Sequence, residues 1–427
     1  MLEYKTETVE RLKKLPGLDG YRNRRPLVTI KGTSMFVEDI MKASVASGSS
    51  LLALGYSGFA KTMIMKIAAS VYFNNEAVHL RGSDYNQAVK DVFLDFDLKK
   101  LDEKQASRLS DIRKIQKTDY HIYLIDEINR SPPLVQNQWF ELADGKIVLD
   151  GVEYKLGQGK YNLVLASANE MDEGTYPIAY AMLWRCNTIL NVDDVMPTPQ
   201  DIDRIAEGRQ DPRITEVKPE DHKKEILELY EELTGIPMSV EMRIMFNYLI
   251  TGLDYCKYGS KLTMREGLKV PEEFCKDITK GNQPGACNRL GNGCGYIRTG
   301  VPPRTAETVI LMTKALQVAA LAKGAKPELE SDFSDVFETL KLGTAYTGLF
   351  NYPAWFFKHP EYRTNRWRTV TDIVENLKKR AIGMQEPIRE AVLAKMNGTL
   401  AQKHVDPFKE DWAFFPEIID SMADLLK

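Results

Sequence analysis

The amino-acid sequence predicts a three-layer α/β domain built on a parallel sheet, followed by an all-α domain and a helical C-terminal extension. Three observations carry that prediction. Between Pro26 and Val192 short apolar runs alternate with helical patterns, and the segments between runs are long enough for crossover helices. After Val192 the strand signal fades and apolar residues recur at helical spacing. The most apolar window, Leu51 to Phe73, contains Gly55, Gly58, Lys61 and Lys66. Two lysines inside a membrane span would be costly, so this window reads as core.

Taken in order, residues 1–25 form a charged start that is helical in part. Ser50–Leu54, Ala77–Leu80, His121–Ile125 and Asn162–Ala166 read as buried strands of about five residues each. Thr62–Phe73 reads as the helix that follows the first of them. Residues 26–192 are therefore the expected α/β domain. In the all-α domain, expected over 193–344, His222–Thr234 carries Ile226, Leu227, Leu229, Tyr230 and Leu233 on helical spacing, with Gly235 placed as its C-terminal cap. Glu307–Lys323 is apolar on most faces and ends at Gly324, as a buried bundle helix does. Residues 256–300, rich in Gly, Asn and Cys, read as an irregular insertion. The extension, 345–427, opens on Tyr346, Phe350, Tyr352, Trp355, Phe356 and Phe357 and then turns helical. Core packing explains those aromatics better than a nucleic-acid platform built with Arg363, Arg366, Trp367 and Arg368.

Composition narrows the function classes. The chain has 427 residues, with 43% hydrophobic and 27% charged, ordinary values for a globular protein of two or three domains. Against 57 Lys and Arg stand 60 Asp and Glu, for a net charge of −3, so nothing asks for a nucleic-acid or membrane partner. The N-terminus lacks a signal-like apolar stretch, and five cysteines do not suggest a secreted disulfide scaffold. The cytoplasm is the expected compartment.

Two motifs carry chemistry. Gly55, Tyr56, Ser57, Gly58, Phe59, Ala60, Lys61 and Thr62 follow an expected strand and open a helix. Phosphate binding needs this arrangement, because backbone N–H groups can curl around phosphate oxygens at a helix N-terminus. Lys61 would reach the β- and γ-phosphates of ATP, and the Thr62 hydroxyl would ligate Mg²⁺. The strict pattern has glycine where Ala60 stands, and alanine fits there if the position does not need positive φ. The second motif is the apolar strand His121–Ile125 ending in Asp126 and Glu127, about 65 residues after Thr62. Asp126 can hold Mg²⁺ through water, and Glu127 can orient and deprotonate an attacking water. Together the motifs imply ATP hydrolysis.

The stretch Asp126 to Pro133 (Asp-Glu-Ile-Asn-Arg-Ser-Pro-Pro), followed by Gln136, resembles the signature of MoxR-type AAA+ ATPases. The resemblance continues through Glu141 to Leu156, where that family inserts a pore-facing β-hairpin, and through Ala166 to Asn169 and Glu173 to Pro177. It extends to Gly300–Arg304, which resembles the lid segment. The resemblance implies that Asn169 is sensor 1, positioning the attacking water, and that Arg304 is sensor 2, contacting phosphates from the lid. It implies that Arg185 is an arginine finger reaching a neighbouring subunit's ATP, with Arg130 the runner-up. It also implies a ring, a hexamer, that remodels a protein client, in this family often one carrying a von Willebrand factor A domain.

The sequence departs from the family at Leu183-Trp-Arg-Cys186, where Leu-Asp-Arg-Phe is usual: the arginine stays and its acidic neighbour is gone. Cys256, Cys275, Cys287 and Cys294, four of the five cysteines, fall within about forty residues of the insertion. Four thiolates could close a tetrahedral zinc site. The absence of a Cys-x-x-Cys pair and of histidine in that segment favours buried or unpaired thiols instead. Two other functions compete: a nucleic-acid AAA+ motor, opposed by the balanced charge, and an ATP-dependent assembly scaffold, opposed by Glu127.

Overall fold

The computed structural model describes residues 4–18, 25–58, 60–82, 92–96, 113–149, 151–169, 174–193, 198–207, 218–253, 296–326, 332–361, 365–408 and 415–422. The chain divides into two compact units. One comprises Tyr4–Ile236 and Lys314–Pro327, the other Pro237–Thr313 and Glu328–Lys427 together with Met1–Glu3.

In the first unit, β1 (Val28–Ile30) and β2 (Thr33–Met35) form an antiparallel ribbon. The sheet is built from β3 (Leu51–Gly55), β4 (Ala77–Arg81), β7 (Ile122–Asp126), β10 (Leu163–Asn169) and β11 (Thr188–Asn191). Its order is β11-β3-β10-β7-β4, and every neighbouring pair is parallel. All residues of β3 and β10 are buried, as continuous apolar runs require when helices cover both faces of a parallel sheet. A second antiparallel ribbon joins β5 (Leu94–Phe96) to β6 (Arg113–Ile115).

Helix α1 (Thr6–Lys14) is tied down by Arg11, which pairs with Glu228 and, at 3.2 Å, with Glu232. Helix α2 (Val37–Ser47) precedes β3, and α3 (Lys61–Phe73) follows it. Helix α4 (Pro133–Ala143) starts on a proline at its first position, where a missing N–H costs nothing. It leads directly into a hairpin, β8 (Lys146–Leu149) paired with β9 (Val152–Lys155) through a turn whose Gly151 has φ 81°. The Glu141 carboxylate accepts the Val148 N–H at 2.9 Å and fixes the hairpin to its helix.

The four expected strands are present, each ending one to three residues further on than the apolar pattern alone suggests. The ladder, not hydrophobicity, sets those ends: Gly55 pairs with Asn169, and Arg81 with Asp126. The strand β11 was not among those expected; its two apolar residues, Ile189 and Leu190, are too few to signal one. Gly235 is not the left-handed cap expected of it. It is the last residue of α5 (Lys223–Gly235) without positive φ, and Lys314 Nζ instead donates to the Leu233 and Ile236 carbonyls at 3.5 and 2.5 Å. Burial pushes that lysine's pKa down. Gly324 does adopt the expected left-handed turn, φ 90°, at the end of α6 (Pro303–Ala322), with Ala325 N–H reaching back to the Ala320 carbonyl at 3.0 Å. Helix α6 is long and apolar enough to cross a membrane, but 72% of its apolar window is buried, as in a core helix.

The second unit is helical. Its centre is α7 (Asp332–Thr344), buried on every face. Burying charge demands partners, and Glu338 has them: Lys341 at 2.7 Å and Lys378, on α8 (Arg366–Gly383), at 3.2 Å. The aromatics Tyr346, Phe350 and Trp355 are buried, and the Trp355 ring lies 4.7 Å from that of Tyr296. Cys256, Cys275, Cys287 and Cys294 lie outside the described residues. Cys186 is described, and burial pushes its thiol up to about 12.

Candidate functional site

The site begins where β3 gives way to α3. Gly55 and Gly58 take φ of 138° and 90°, and a Cβ on Gly55 would stand 2.6 Å from Val192 Cγ2, so the first glycine is required by the end of β11. Ala60 sits at φ 56°, ψ 19°. The condition under which alanine would fit without strain is therefore not met: alanine occupies the conformation that glycine favours, a strain of about 1 kcal/mol. Phe59 lies outside the described residues. Tyr56, Ser57 and Gly58 are exposed. The Asp193 carboxylate accepts the Tyr56 N–H at 3.2 and 2.9 Å, pinning the loop's first turn to the end of β11. Lys61 is buried, and its ammonium donates to the carbonyls of Gly55 and Tyr56 at 2.8 and 2.5 Å. The loop thus holds its own cation at its centre.

Parallel pairing brings the carboxyl ends of β3, β10 and β7 side by side, the usual place for ligands in such sheets. Thr62 Oγ1 donates to Asp126 Oδ1 at 2.8 Å, and Ser167 Oγ donates to the same oxygen at 2.6 Å. Ser167 Oγ also accepts the Glu127 N–H at 2.9 Å. One buried hydroxyl therefore sets the positions of both carboxylate residues. Glu127 itself is left-handed, φ 54°, ψ 49°, which turns its side chain out of the strand. Its Oε1 accepts Asn169 Nδ2 at 3.0 Å, and its Oε2 pairs with Arg130 Nε at 3.0 Å. The amide of Asn129 brackets the backbone of Asn169, donating to its carbonyl at 2.6 Å and accepting its N–H at 3.2 Å. Gly82 closes the underside: a Cβ there would lie 2.1 Å from the Glu127 carbonyl oxygen. His79, on β4, is held below its usual pKa by burial first and then by Lys66 and Arg81.

Thr62, Asp126, Glu127 and Asn169 thus meet in one hydrogen-bonded cluster that includes Ser167, and Lys61 stands next to Thr62 at the start of α3. Arg130 belongs to this cluster within its own chain. Arg185 stands apart, two residues past the short helix Tyr180–Leu183. Its guanidinium forms a two-pronged pair with Asp144, Nε to Oδ1 at 2.9 Å and Nη2 to Oδ2 at 3.2 Å. Nη1 donates to the Ala181 carbonyl at 2.9 Å, and the group lies 5.0 Å over the Phe140 ring. Arg304 is exposed in the first turn of α6, within the second unit.

The donor set suits a hard cation: hydroxyl and carboxylate oxygens lie 2.8 Å apart. Thr62 and Asp126 fit Mg²⁺ held with phosphate oxygens and water. Among the described residues no group of three or more His, Cys, Asp or Glu could hold a metal by itself.

Ser167, Asn129, Asp144, Asp193 and Gly82 were not assigned roles from the sequence. Ser167 lay inside a motif block already noticed, and Asn129 beside the acidic pair; only the sheet register reveals what they touch. Asp144 lies inside the Glu141–Leu156 block, but it and Asp193 act across 41 and 137 residues of chain, which no local pattern reports.

No family model matches the chain, and no curated protein matches it. Among solved structures 228 chains match. One is a candidate ATPase from Cytophaga hutchinsonii, solved at 2.00 Å, with TM-score 0.51 and 16% identity over 87% of this chain and 93% of that one. Likeness at that identity is one of fold. The shared fold is an α/β domain on a five-stranded parallel sheet followed by a helical region.

Proposed function

We propose that the chain is a MoxR-like AAA+ ATPase that hydrolyses ATP to ADP and phosphate. The observation that carries this reading is the hydrogen-bonded cluster of Thr62, Asp126, Glu127 and Asn169 directly beside Lys61, with Thr62 to Asp126 at 2.8 Å and Asn169 to Glu127 at 3.0 Å. Lys61 exchanges the Gly55 and Tyr56 carbonyls for β- and γ-phosphate oxygens. Thr62 and Asp126 would hold Mg²⁺, which when bound neutralises phosphate charge and orients the γ-phosphoryl group. Glu127 accepts a proton from water as the water oxygen bonds to the γ-phosphorus, and the bond to the bridging oxygen breaks, its electron pair leaving with ADP. Asn169 fixes the Glu127 carboxylate and the water.

Arg185 supplies a cation to a neighbouring subunit's γ-phosphoryl group, and Arg304 contacts phosphate from the lid. Both roles rest on the family resemblance, as do the hexameric ring and the remodelling of a protein client, for which a von Willebrand factor A domain protein is the first partner to try. The hairpin of β8 and β9, with Val152 exposed at its turn, supports a client-facing element.

The test is Glu127→Gln in the assembled protein. Turnover should fall about 100-fold or more while ATP still binds, since the residue acts as general base. Unchanged turnover would sink the hydrolysis mechanism and leave a scaffold that binds ATP to assemble.

A further inference from the structure

In the family that the sequence resembles an acidic residue precedes this arginine; here Trp184 does. The structure supplies the carboxylate from elsewhere: Asp144 faces both Nε and Nη2 of Arg185 at 2.9 and 3.2 Å. We propose that Asp144 is a positioning residue for Arg185, and that through it the hairpin governs the arginine's action on a neighbouring subunit's ATP. This rests on the trans-acting role given to Arg185 above.

The geometry suits presentation rather than burial. Of the guanidinium's five N–H donors, Asp144 takes two and the Ala181 carbonyl a third, so two remain for a phosphate. The side chain stays 28% exposed, while the Phe140 ring beneath it, 5.0 Å from the cation, removes one direction of movement. A flexible arginine would lose much of its effect to the cost of ordering itself at the moment of reaction, and this one is ordered beforehand.

The placement of Asp144 gives the second half of the inference. It is the C-terminal capping residue of α4, with its N–H on the Phe140 and Glu141 carbonyls at 2.9 and 3.1 Å, and Gly145 and β8 follow it directly. Phe140 and Asp144, both on this helix end, hold the guanidinium from two sides, so a client pulling on the hairpin moves the grip on Arg185. The second contact is stronger than a surface pair because both oxygens engage one planar group.

The experiment compares Arg185→Ala, Asp144→Asn and Asp144→Glu in the full-length assembled protein, with ATP as substrate. Asp144→Asn should lower kcat about 10- to 100-fold with KM for ATP unchanged, as misplacement of a transition-state group does. Asp144→Glu should restore part of the loss, and the double variant Asp144→Asn/Arg185→Ala should be no slower than Arg185→Ala. A mixing assay separates this from a general structural effect. Lys61→Ala subunits cannot use ATP but can lend Arg185 to Arg185→Ala subunits, so the mixture should regain activity. Adding Asp144→Asn to the Lys61→Ala subunit should abolish that recovery. Full recovery with the doubly substituted subunit overturns the proposal while leaving the trans role of Arg185 standing. Wild-type kcat for Arg185→Ala, with no recovery to measure, overturns both.

Discussion

Removing the Ser167 hydroxyl tests whether one buried group holds the site together. In the native protein Ser167 Oγ donates to Asp126 Oδ1 at 2.6 Å and accepts the Glu127 N–H at 2.9 Å. Ser167→Ala deletes a hydrogen bond to a charged acceptor, worth about 1.5–3 kcal/mol, and leaves a backbone donor to find water. Water reaches Glu127, which is partly exposed, so the second loss is small. Asp126 also keeps its bond from Thr62 at 2.8 Å. The net cost is about 2–4 kcal/mol. For a unit of this size that lowers the Tm of its transition by roughly 4–16 °C. The same change frees the left-handed Glu127 peptide, whose φ of 54° persists only while its surroundings hold it. Turnover should therefore fall further than ATP affinity. Calorimetry and steady-state ATPase kinetics on the variant supply both numbers. An unshifted transition together with wild-type kcat would falsify the bridging role.

Two further outcomes follow from backbone and burial. Ala60→Gly relieves an alanine at φ 56° but gives the unfolded chain more freedom, so stability should rise by about 0.5 kcal/mol and Tm by about 1–2 °C, without loss of ATP binding; a lower Tm would show that the methyl group packs usefully. Cys186 is buried and its thiol is pushed up to about 12, so at pH 7–8 it should resist maleimide until the unit unfolds, and rapid labelling of native protein, read by mass spectrometry, would contradict its place in the core.

Much of this was legible in the sequence, for a physical reason. Strands buried on both faces are nearly all apolar, so β3, β7 and β10 announce themselves, and the candidate site residues lie at their ends. The ends of these strands were harder to place, because Gly55, Asp126 and Asn169 are held by the ladder rather than by hydrophobicity. The strand β11 hid for a related reason: four residues with polar ends look like a loop until β3 pairs with them. Local backbone conformation was not legible at Ala60. A chain can accept an unfavourable φ when neighbouring contacts stabilise it, and residue type alone does not report the contacts. Gly235 shows the converse, a glycine whose expected turn is unnecessary because Lys314 reaches the helix end from far along the chain.

The candidate site shows why motif residues and their supports differ in legibility. Lys61 and Thr62 are neighbours, as are Asp126 and Glu127, so their chemistry is written at short range. Their mutual placement is not. It depends on β10 lying between β3 and β7, which sets Ser167 against Asp126 and brings Asn169 to Glu127. Exchanging the order of those strands would keep every motif and destroy the site. The supports also explain how strain is tolerated there. Glu127 and Ala60 both adopt left-handed conformations, at a combined cost of about 2 kcal/mol. The Ser167 and Asn129 hydrogen bonds, with the close approach that Gly82 permits, offset that cost around Glu127. Ala60 is anchored at the start of α3, where its carbonyl accepts the Ile64 N–H at 3.0 Å. The loop is thus strained at Ala60 and pinned by Asp193 at Tyr56, with the Lys61 ammonium on its Gly55 carbonyl between them.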